Sequence, residues 1–346
     1  MSKVLRLGFI GAGGIARAQA NYLKKVSGVE VVAAADVNQA ALDKFKQDYN
    51  TPHLFKDWKK LLALPGLEAV SVCTPNNMHS RPSIAALKAG KHVLVEKPMA
   101  MNAKQAAAMV AAAKQAKRLL QIGVQWRFTR SAQFLRQRVA SGSLGDFLYV
   151  RYQALRRRGI PSWGVFGRKE LQGGGPMIDI GVHILEMAHY IMGAPPPLSA
   201  SASCYTYIGN KKPQALTGWG NWDYKTYTVE DLAIGFIKFA NGSTLVIESS
   251  FAAHIEKDLH TIQIMGSKGG ATYDPLQVFG DDQGYMLNMT PAFIGTGDSF
   301  LYKMNHFVEC ARDGKKCAAP GEDGWAVQRI LDGVYKAAAL KREVRI

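Results

Sequence analysis

The chain has 346 residues, long for one domain and suited to two of ~150 residues each. Its 47% hydrophobic and 20% charged content is that of a globular protein with sizeable cores, which excludes extended disorder, and no run approaches the ~20 apolar residues that span a bilayer, so no membrane partner is expected. The net charge of +16 raises the question of a nucleic-acid partner; the basic residues are scattered, however, the one dense run is Arg156-Arg157-Arg158, and no aromatic-interleaved patch accompanies it, so no nucleic acid is expected.

The chain opens with MSKVLRLGFIGAGG, an apolar stretch running straight into a glycine loop without a cleavable leader, which reads as a first strand and a cytoplasmic location. Over the first 124 residues short β-rich runs (Leu5–Ile10, Val29–Ala35, Ala69–Cys73, His92–Val95, Leu119–Val124) alternate with helical stretches. Pro82 and Gly90 bracket one such helix, and Asn102 with Gln105 has the spacing of a capping box opening another. That alternation predicts an α/β, doubly wound parallel sheet over 1–124. From 125 to 346 the pattern changes. A helix is expected over about Pro176–Met192, and Ile234–Phe239 and Thr244–Ser249 flank Asn241-Gly242, a hairpin turn. A second strand pair surrounds Gly266–Gly270, and helices close the chain at about Phe300–Arg312 and Trp325–Lys341. The expectation is a C-terminal α+β domain on a large, mostly antiparallel open sheet, its last helix available to pack back on the first domain, with a cleft between the two. The four cysteines form no CxxC pair, and no histidine is seen to complete a zinc site around Cys310 and Cys317, so reduced thiols and no metal are expected.

Gly11-Ala12-Gly13-Gly14-Ile15-Ala16 fits GxGxxA between a strand and a helix, where glycines let a backbone approach a pyrophosphate at a helix N-terminus. Asp36 closes the second strand 20 residues after Ala16, placed to accept from ribose hydroxyls. It would repel a 2′-phosphate, and Val37 rather than a basic residue follows it; NAD is expected over NADP. Lys97, at the carboxyl end of the His92–Val95 strand, is either a proton-transfer group in a ligand cleft or a solvated surface charge. Asp179 and His183, led in by Gly173-Gly174-Gly175-Pro176, lie four apart on a helix and so on one face. They can serve as orienter and general base, as half of a metal site, or as a structural hydrogen-bonded pair.

Taken in order, the glycine loop with Asp36, Cys73-Thr74-Pro75-Asn76-Asn77-Met78-His79, Glu96-Lys97-Pro98, and the glycine-led Asp179/His183 pair resemble the Gfo/Idh/MocA family (glucose-fructose oxidoreductase, inositol dehydrogenase and relatives) over essentially the whole chain. The resemblance implies a Rossmann domain and a catalytic set of Lys97, Asp179 and His183. It implies that Gly11, Gly13, Gly14, Ile15, Asp36, Thr74, Asn76, His79, Glu96, Lys97 and Gln125 line the cofactor, His79 being equally able to fix its own loop. Arg127 is expected beside the nicotinamide, on the substrate with Lys97, Asp179 and His183. Trp163, in a Gly/Pro-rich loop, is placed to cover the nicotinamide, to stack on a sugar face, or to fill an interface or the core. The implied reaction moves a hydride between NAD and a secondary hydroxyl of a sugar, glycoside or cyclitol, with ring C3 of a glucoside as the specific expectation. A redox-neutral, NAD-dependent glycosidase and a non-catalytic NAD/sugar sensor are the alternatives. A homodimer or homotetramer is expected, because helices are available for only one side of the second sheet.

Overall fold

In the computed structural model, which describes residues 4–215 and 217–346, the chain divides into two compact units. One comprises the chain up to Phe128 together with Asp298–Trp325; the other comprises Thr129–Gly297 and Ala326–Ile346. The single break expected after residue 124 is therefore corrected to three crossings. The cause is the helix Ser299–Asp313, which buries Met304, Phe307 and Val308 in the same apolar cluster as Leu5, Leu7 and Phe9 of the first strand.

In the first unit, β1 (Leu5–Ile10), β2 (Val29–Ala35), β3 (His53–Phe55), β4 (Ala69–Val72), β5 (His92–Val95) and β6 (Leu120–Ile122) form an all-parallel sheet in the order β3-β2-β1-β4-β5-β6. Alternate side chains leave the strands on opposite faces. Leu94 of β5 joins the cluster with Leu5, Phe9 and the helix residues Ala16 and Leu42, whereas Val93 and Val95 join another with Ala106, Met109 and Val110. Both faces are thus covered, as a parallel sheet requires. The helix Ala103–Ala116 begins as its spacing predicts: Asn102 Oδ1 accepts from the Gln105 N–H at 2.9 Å, and Gln105 Oε1 accepts from the Met101 N–H at 3.2 Å.

The second unit is built on nine strands: β7 (Phe147–Leu155), β8 (Pro197–Tyr205), β9 (Leu232–Phe239), β10 (Thr244–Ser250), β11 (Leu259–Gly266), β12 (Gly270–Thr272), β13 (Gln277–Asp282), β14 (Tyr285–Met289) and β15 (Val344–Arg345). Their order is β14-β13-β12-β11-β7-β10-β9-β8-β15, antiparallel throughout except where β7 meets β10. The expected hairpin is β9–β10, turning at Gly242 with φ +84°. Along β9 burial alternates: Ala233, Ile237 and Phe239 are buried while Ile234 and Phe236 are exposed. Leu148, Leu198, Tyr205 and Met265 are exposed on other strands of the same sheet.

Candidate active site

The first unit gathers its predicted residues by register. Ile10 pairs with Ala35 and with Val72, Val72 with Val95, and Val95 with Ile122. Four strand pairs therefore end level, and the loops that follow them, carrying Gly11, Asp36, Thr74, Lys97 and Gln125, leave one edge of the sheet side by side. Gly11 has φ +94°, and a Cβ there would lie 2.6 Å from the Cys73 carbonyl oxygen, so only glycine fits. At Gly13 and Gly14 a Cβ would meet no protein atom within 4 Å. Those two glycines are not demanded by packing among the described residues; they leave room for something to approach the N-terminus of the helix Gly14–Leu23, which no described side chain caps. Asp36 accepts from the Ala12 N–H at 2.8 Å and the Asn38 N–H at 2.9 Å, which fastens the glycine loop to β2 and leaves lone pairs on both oxygens. Thr74 Oγ1 is buried with no hydrogen-bond partner among the described residues. An open glycine cradle, an uncapped helix end, a carboxylate with acceptor capacity and an orphaned hydroxyl fit a dinucleotide. One cation near Asp36 was not visible in sequence: Lys56 Nζ donates to the Val37 carbonyl at 3.1 Å.

Three predicted residues of this unit are held by contacts within the chain. His79 Nδ1 lies 2.7 Å from the Pro98 carbonyl oxygen and Nε2 lies 2.8 Å from that of Thr74, so the ring sits between two loops. Burial pulls its pKa down against those two carbonyls. Arg127, expected on substrate, is 1% exposed, and its Nη1 donates to the Ala318 carbonyl and to Asp323 Oδ2 at 2.8 Å. It fastens the strand β6 exit to the chain's later segment. Glu96, expected against the cofactor, is buried: Oε1 accepts from Gln19 Nε2 at 2.6 Å and from Lys303 Nζ at 3.3 Å, and Oε2 from the Lys97 N–H at 3.3 Å. Burial pushes its carboxyl up, but Lys303, Lys97 and Gln19 outweigh that and hold it below the ordinary range. Lys303, itself fully buried, was missed by the sequence reading; Glu96 and Lys303 brace the backbone that presents Lys97. Asn76 opens the 3₁₀ turn Asn76–Met78, and Gln125 leads another at Trp126–Phe128. Ile15 is exposed beside the glycine loop.

In the second unit the expected helix is not uniform. Met177–Gly181 is a π-turn, and the α-helix begins only at Val182. Asp179 sits inside the wide turn and His183 in the helix after it, so the α-helical period alone does not set the angle between them. Such turns recur at functional sites. This one is held by neighbours: Tyr152 Oη donates to the Gly181 carbonyl at 3.1 Å and Ser249 Oγ to the Pro176 carbonyl at 2.9 Å. Glu230, buried, accepts from the Gly175 N–H at 3.0 Å, the Met177 N–H at 3.3 Å and Tyr335 Oη at 2.8 Å. A Cβ on Gly174 would run into Tyr335 and one on Gly175 into the Glu230 backbone, so the glycine run is what lets these groups close in.

Trp163 is 57% exposed and stacks on Trp219, with centroids 5.6 Å apart and planes 9° from parallel. The Arg156 guanidinium lies 4.4 Å over Trp219. Burial lowers Arg156's pKa while the charge of Asp179 raises it, which links the aromatic pair to the π-turn carboxylate. The rest of the arginine run is structural: the Arg157 N–H donates to Asp258 at 2.7 Å and Arg158 Nη1 to the Ala253 carbonyl at 2.7 Å. The expectation that no histidine accompanies Cys310 and Cys317 is also corrected, since His306, one helical turn before Cys310, joins them.

Comparison with known proteins agrees with this geometry. Residues 5–124 match the model of the oxidoreductase family with NAD-binding Rossmann fold, and residues 132–272 match the GFO/IDH/MocA C-terminal domain. The chain is 35% identical over 347 aligned residues to the D-glucoside 3-dehydrogenase of Escherichia coli, covering 100% of this chain and 98% of the other. It is 28% identical to the myo-inositol 2-dehydrogenase of Thermotoga maritima, covering 99% and 98%. A levoglucosan dehydrogenase solved with NADH and L-sorbose shares the fold at a TM-score of 0.85 and 23% identity, covering 99% of both chains. The chain belongs to the Gfo/Idh/MocA family of NAD-binding oxidoreductases.

Proposed function

We propose that the protein oxidises a secondary hydroxyl of a sugar, glycoside or cyclitol, ring C3 of a glucoside above all. The full-length 35% identity to a D-glucoside 3-dehydrogenase supports that position, and the names of the relatives favour net oxidation over a redox-neutral glycosidase or a sensor. The observation that carries the substrate class is the exposed Trp163 ring, stacked on Trp219 beside Arg156: flat apolar rings with a cation and a carboxylate at hand suit a pyranose, whose axial C–H faces are apolar and whose rim is hydroxylated. The cavity behind the Trp163 loop, about 60 Å³ and lined by Arg168, Trp222 and Asp223, has room for little more than water, so the sugar would lie on the open face of Trp163.

NAD supplies the hydride acceptor. His183 removes the hydroxyl proton, Lys97 donates a hydrogen bond to the oxygen as it gains charge, and Asp179 orients imidazole and substrate. Positioning is the main contribution of the chain, which is why the supports of Lys97 and Asp179 matter. The exposed apolar face of the nine-stranded sheet supports a homodimer or homotetramer; the protein works in the cytoplasm. The test is a panel of alkyl and aryl glucosides, free aldoses, levoglucosan and inositols, followed by NADH absorbance and by released aglycone. NADH formation on glucosides without aglycone release is expected. Aglycone release without net NADH, or turnover of cyclitols alone, would overturn the reading.

A further inference from the structure

Away from the proposed substrate chemistry, the first unit holds three soft or titratable groups in one place. His306 Nε2, Cys310 Sγ and Cys317 Sγ all lie within 4.8 Å of one another. His306 and Cys310 are one turn apart on the helix Ser299–Asp313, with Nε2 and Sγ 3.3 Å apart. The chain then leaves the helix at Gly314, φ +72°, and the exposed stretch 313–316 returns Cys317 to the cluster. That return is pinned on both sides of the next residue: the Ala318 N–H donates to His306 Nε2 at 2.8 Å, and the Ala318 carbonyl accepts from Arg127.

The same pins decide between a metal and a thiol pair. The Nε2 lone pair that would bind a cation already receives the Ala318 N–H, and among the described residues three side-chain donors converge where a closed zinc site uses four. The two sulfurs, in contrast, face each other within 4.8 Å, with the Cys317 S–H directed at Gln121 Oε1 at 3.6 Å. The neighbouring Cys317 thiol is the largest influence lowering the Cys310 thiol, with Lys315 adding to it against burial. Cys73 and Cys204 are each pushed up to about 12, chiefly by burial. Of the four thiols Cys310 alone is moved toward the reactive thiolate.

We propose that Cys310 and Cys317 form a reversible redox pair that closes to a disulfide under hydroperoxide, with Cys310 as the attacking group. The Cys310 thiolate attacks one peroxide oxygen, the O–O bond breaks, and the other oxygen leaves as water after taking a proton; Cys310 is then a sulfenic acid. Cys317 sulfur attacks Cys310 sulfur, the S–O bond breaks, and hydroxide leaves with the Cys317 proton as the second water. Two thiols are oxidised by two electrons and one peroxide is reduced to two waters. Closing the bond draws Cys317 toward the helix and so pulls on Ala318, the residue that Arg127 and His306 hold.

The experiment uses the full reduced chain, treated with a few equivalents of hydrogen peroxide, alkylated, and digested with trypsin without reductant. Expected are a fall from four titratable thiols to two and a cross-linked pair of peptides, Met304–Arg312 with Cys317–Arg329, that dithiothreitol separates. Cys317→Ser should trap Cys310 as a sulfenic acid that dimedone captures, whereas Cys310→Ser should leave Cys317 unoxidised at the same dose. NADH binding by fluorescence checks that each variant is folded. The proposal is overturned if both cysteines remain alkylatable, if Cys73 or Cys204 oxidises as readily, or if the purified chain carries one zinc per chain that His306→Ala removes.

Discussion

Each unit buries a glutamate under the residue proposed to do chemistry, and the two solve the same problem in opposite ways. Glu96 lies against Lys303, a fully buried cation, and its other oxygen receives the Lys97 N–H; the site is a buried ion pair. Glu230 receives two backbone N–H groups from the start of the π-turn and the Tyr335 hydroxyl. Burial raises Glu230's pKa and these three donors offset it only in part, whereas Glu96 ends below its ordinary range. The lesson concerns robustness. An ion pair is rigid but brittle, because losing one partner strands the other charge in the core. A carboxyl held by neutral donors loses its contacts one at a time.

The largest expected effect tests whether the two braced elements serve one reaction. Lys97→Ala and His183→Ala should each lower kcat by about 10²–10⁴-fold while leaving NADH affinity nearly unchanged. The double variant should be less impaired than the product of the single effects, because groups acting on one oxygen are not additive. Stopped-flow NADH formation and fluorescence titration measure both quantities. Strict multiplicativity would mean that the two units do not act on the same atom.

Next in size is the brittleness of the ion pair. Glu96→Gln strands the Lys303 ammonium in the core and should cost about 3–5 kcal/mol, read as a lowered urea midpoint. Lys303→Met alone should cost a similar amount by stranding Glu96, and the double variant should recover much of the loss. If Glu96→Gln with Lys303→Met is no more stable than either single change, the pair is not the brace described.

How far these features can be read from the sequence follows from their range along the chain. The glycine loop, Asp36, Lys97 and the Asp179/His183 run are signals of a few residues at the ends of periodic elements, and they were legible for that reason. The parallel sheet was legible because its strands are short, apolar and separated by well-punctuated helices. The supports were not. Glu96 and Lys303 are 207 residues apart, Arg127 and Asp323 are 196 apart, and Gly175 and Glu230 are 55 apart. Composition around Lys303 reads as an ordinary amphipathic helix, with no hint that its one lysine is inside. The π-turn was not legible because the hydroxyls of Tyr152 and Ser249, which hold the Gly181 and Pro176 carbonyls, sit on strands far along the chain. Trp163 was legible as a loop aromatic, but its stacking partner Trp219 and the Arg156 beneath needed the fold.

Cofactor choice gives a smaller, discriminating effect. Asp36 should favour NAD over NADP, yet Lys56 stands at the neighbouring carbonyl, a cation the linear reading overlooked. Asp36→Ala with Val37→Arg should reverse the preference, measured as the ratio of kcat/KM for the two cofactors. Lys56→Ala should increase the wild-type preference for NAD severalfold, on the order of 1 kcal/mol or less for an exposed charge. A preference that does not move in either variant would remove both residues from discrimination.

The smallest effect addresses the neutral brace. Tyr335→Phe removes one donor from Glu230 and should cost about 0.5–1.5 kcal/mol at neutral pH, well short of the loss at Glu96. Its pH dependence carries the sharper information. Glu230's folded pKa is raised, so the protonated form is the one that folding favours. Its contribution is present in full below the ordinary carboxylate range and is lost as pH rises through the folded value. The Tyr335 hydroxyl lowers that folded value, so without it the loss runs further up the scale. The stability gap between wild type and Tyr335→Phe should therefore be small at acid pH, widen as pH rises out of the carboxylate range, and then stay constant. Urea midpoints at a series of pH values decide this. A gap already at full size and flat from the acid end of the carboxylate range upward would mean that Glu230 is held ionised like Glu96, and the two units would then share one strategy rather than two.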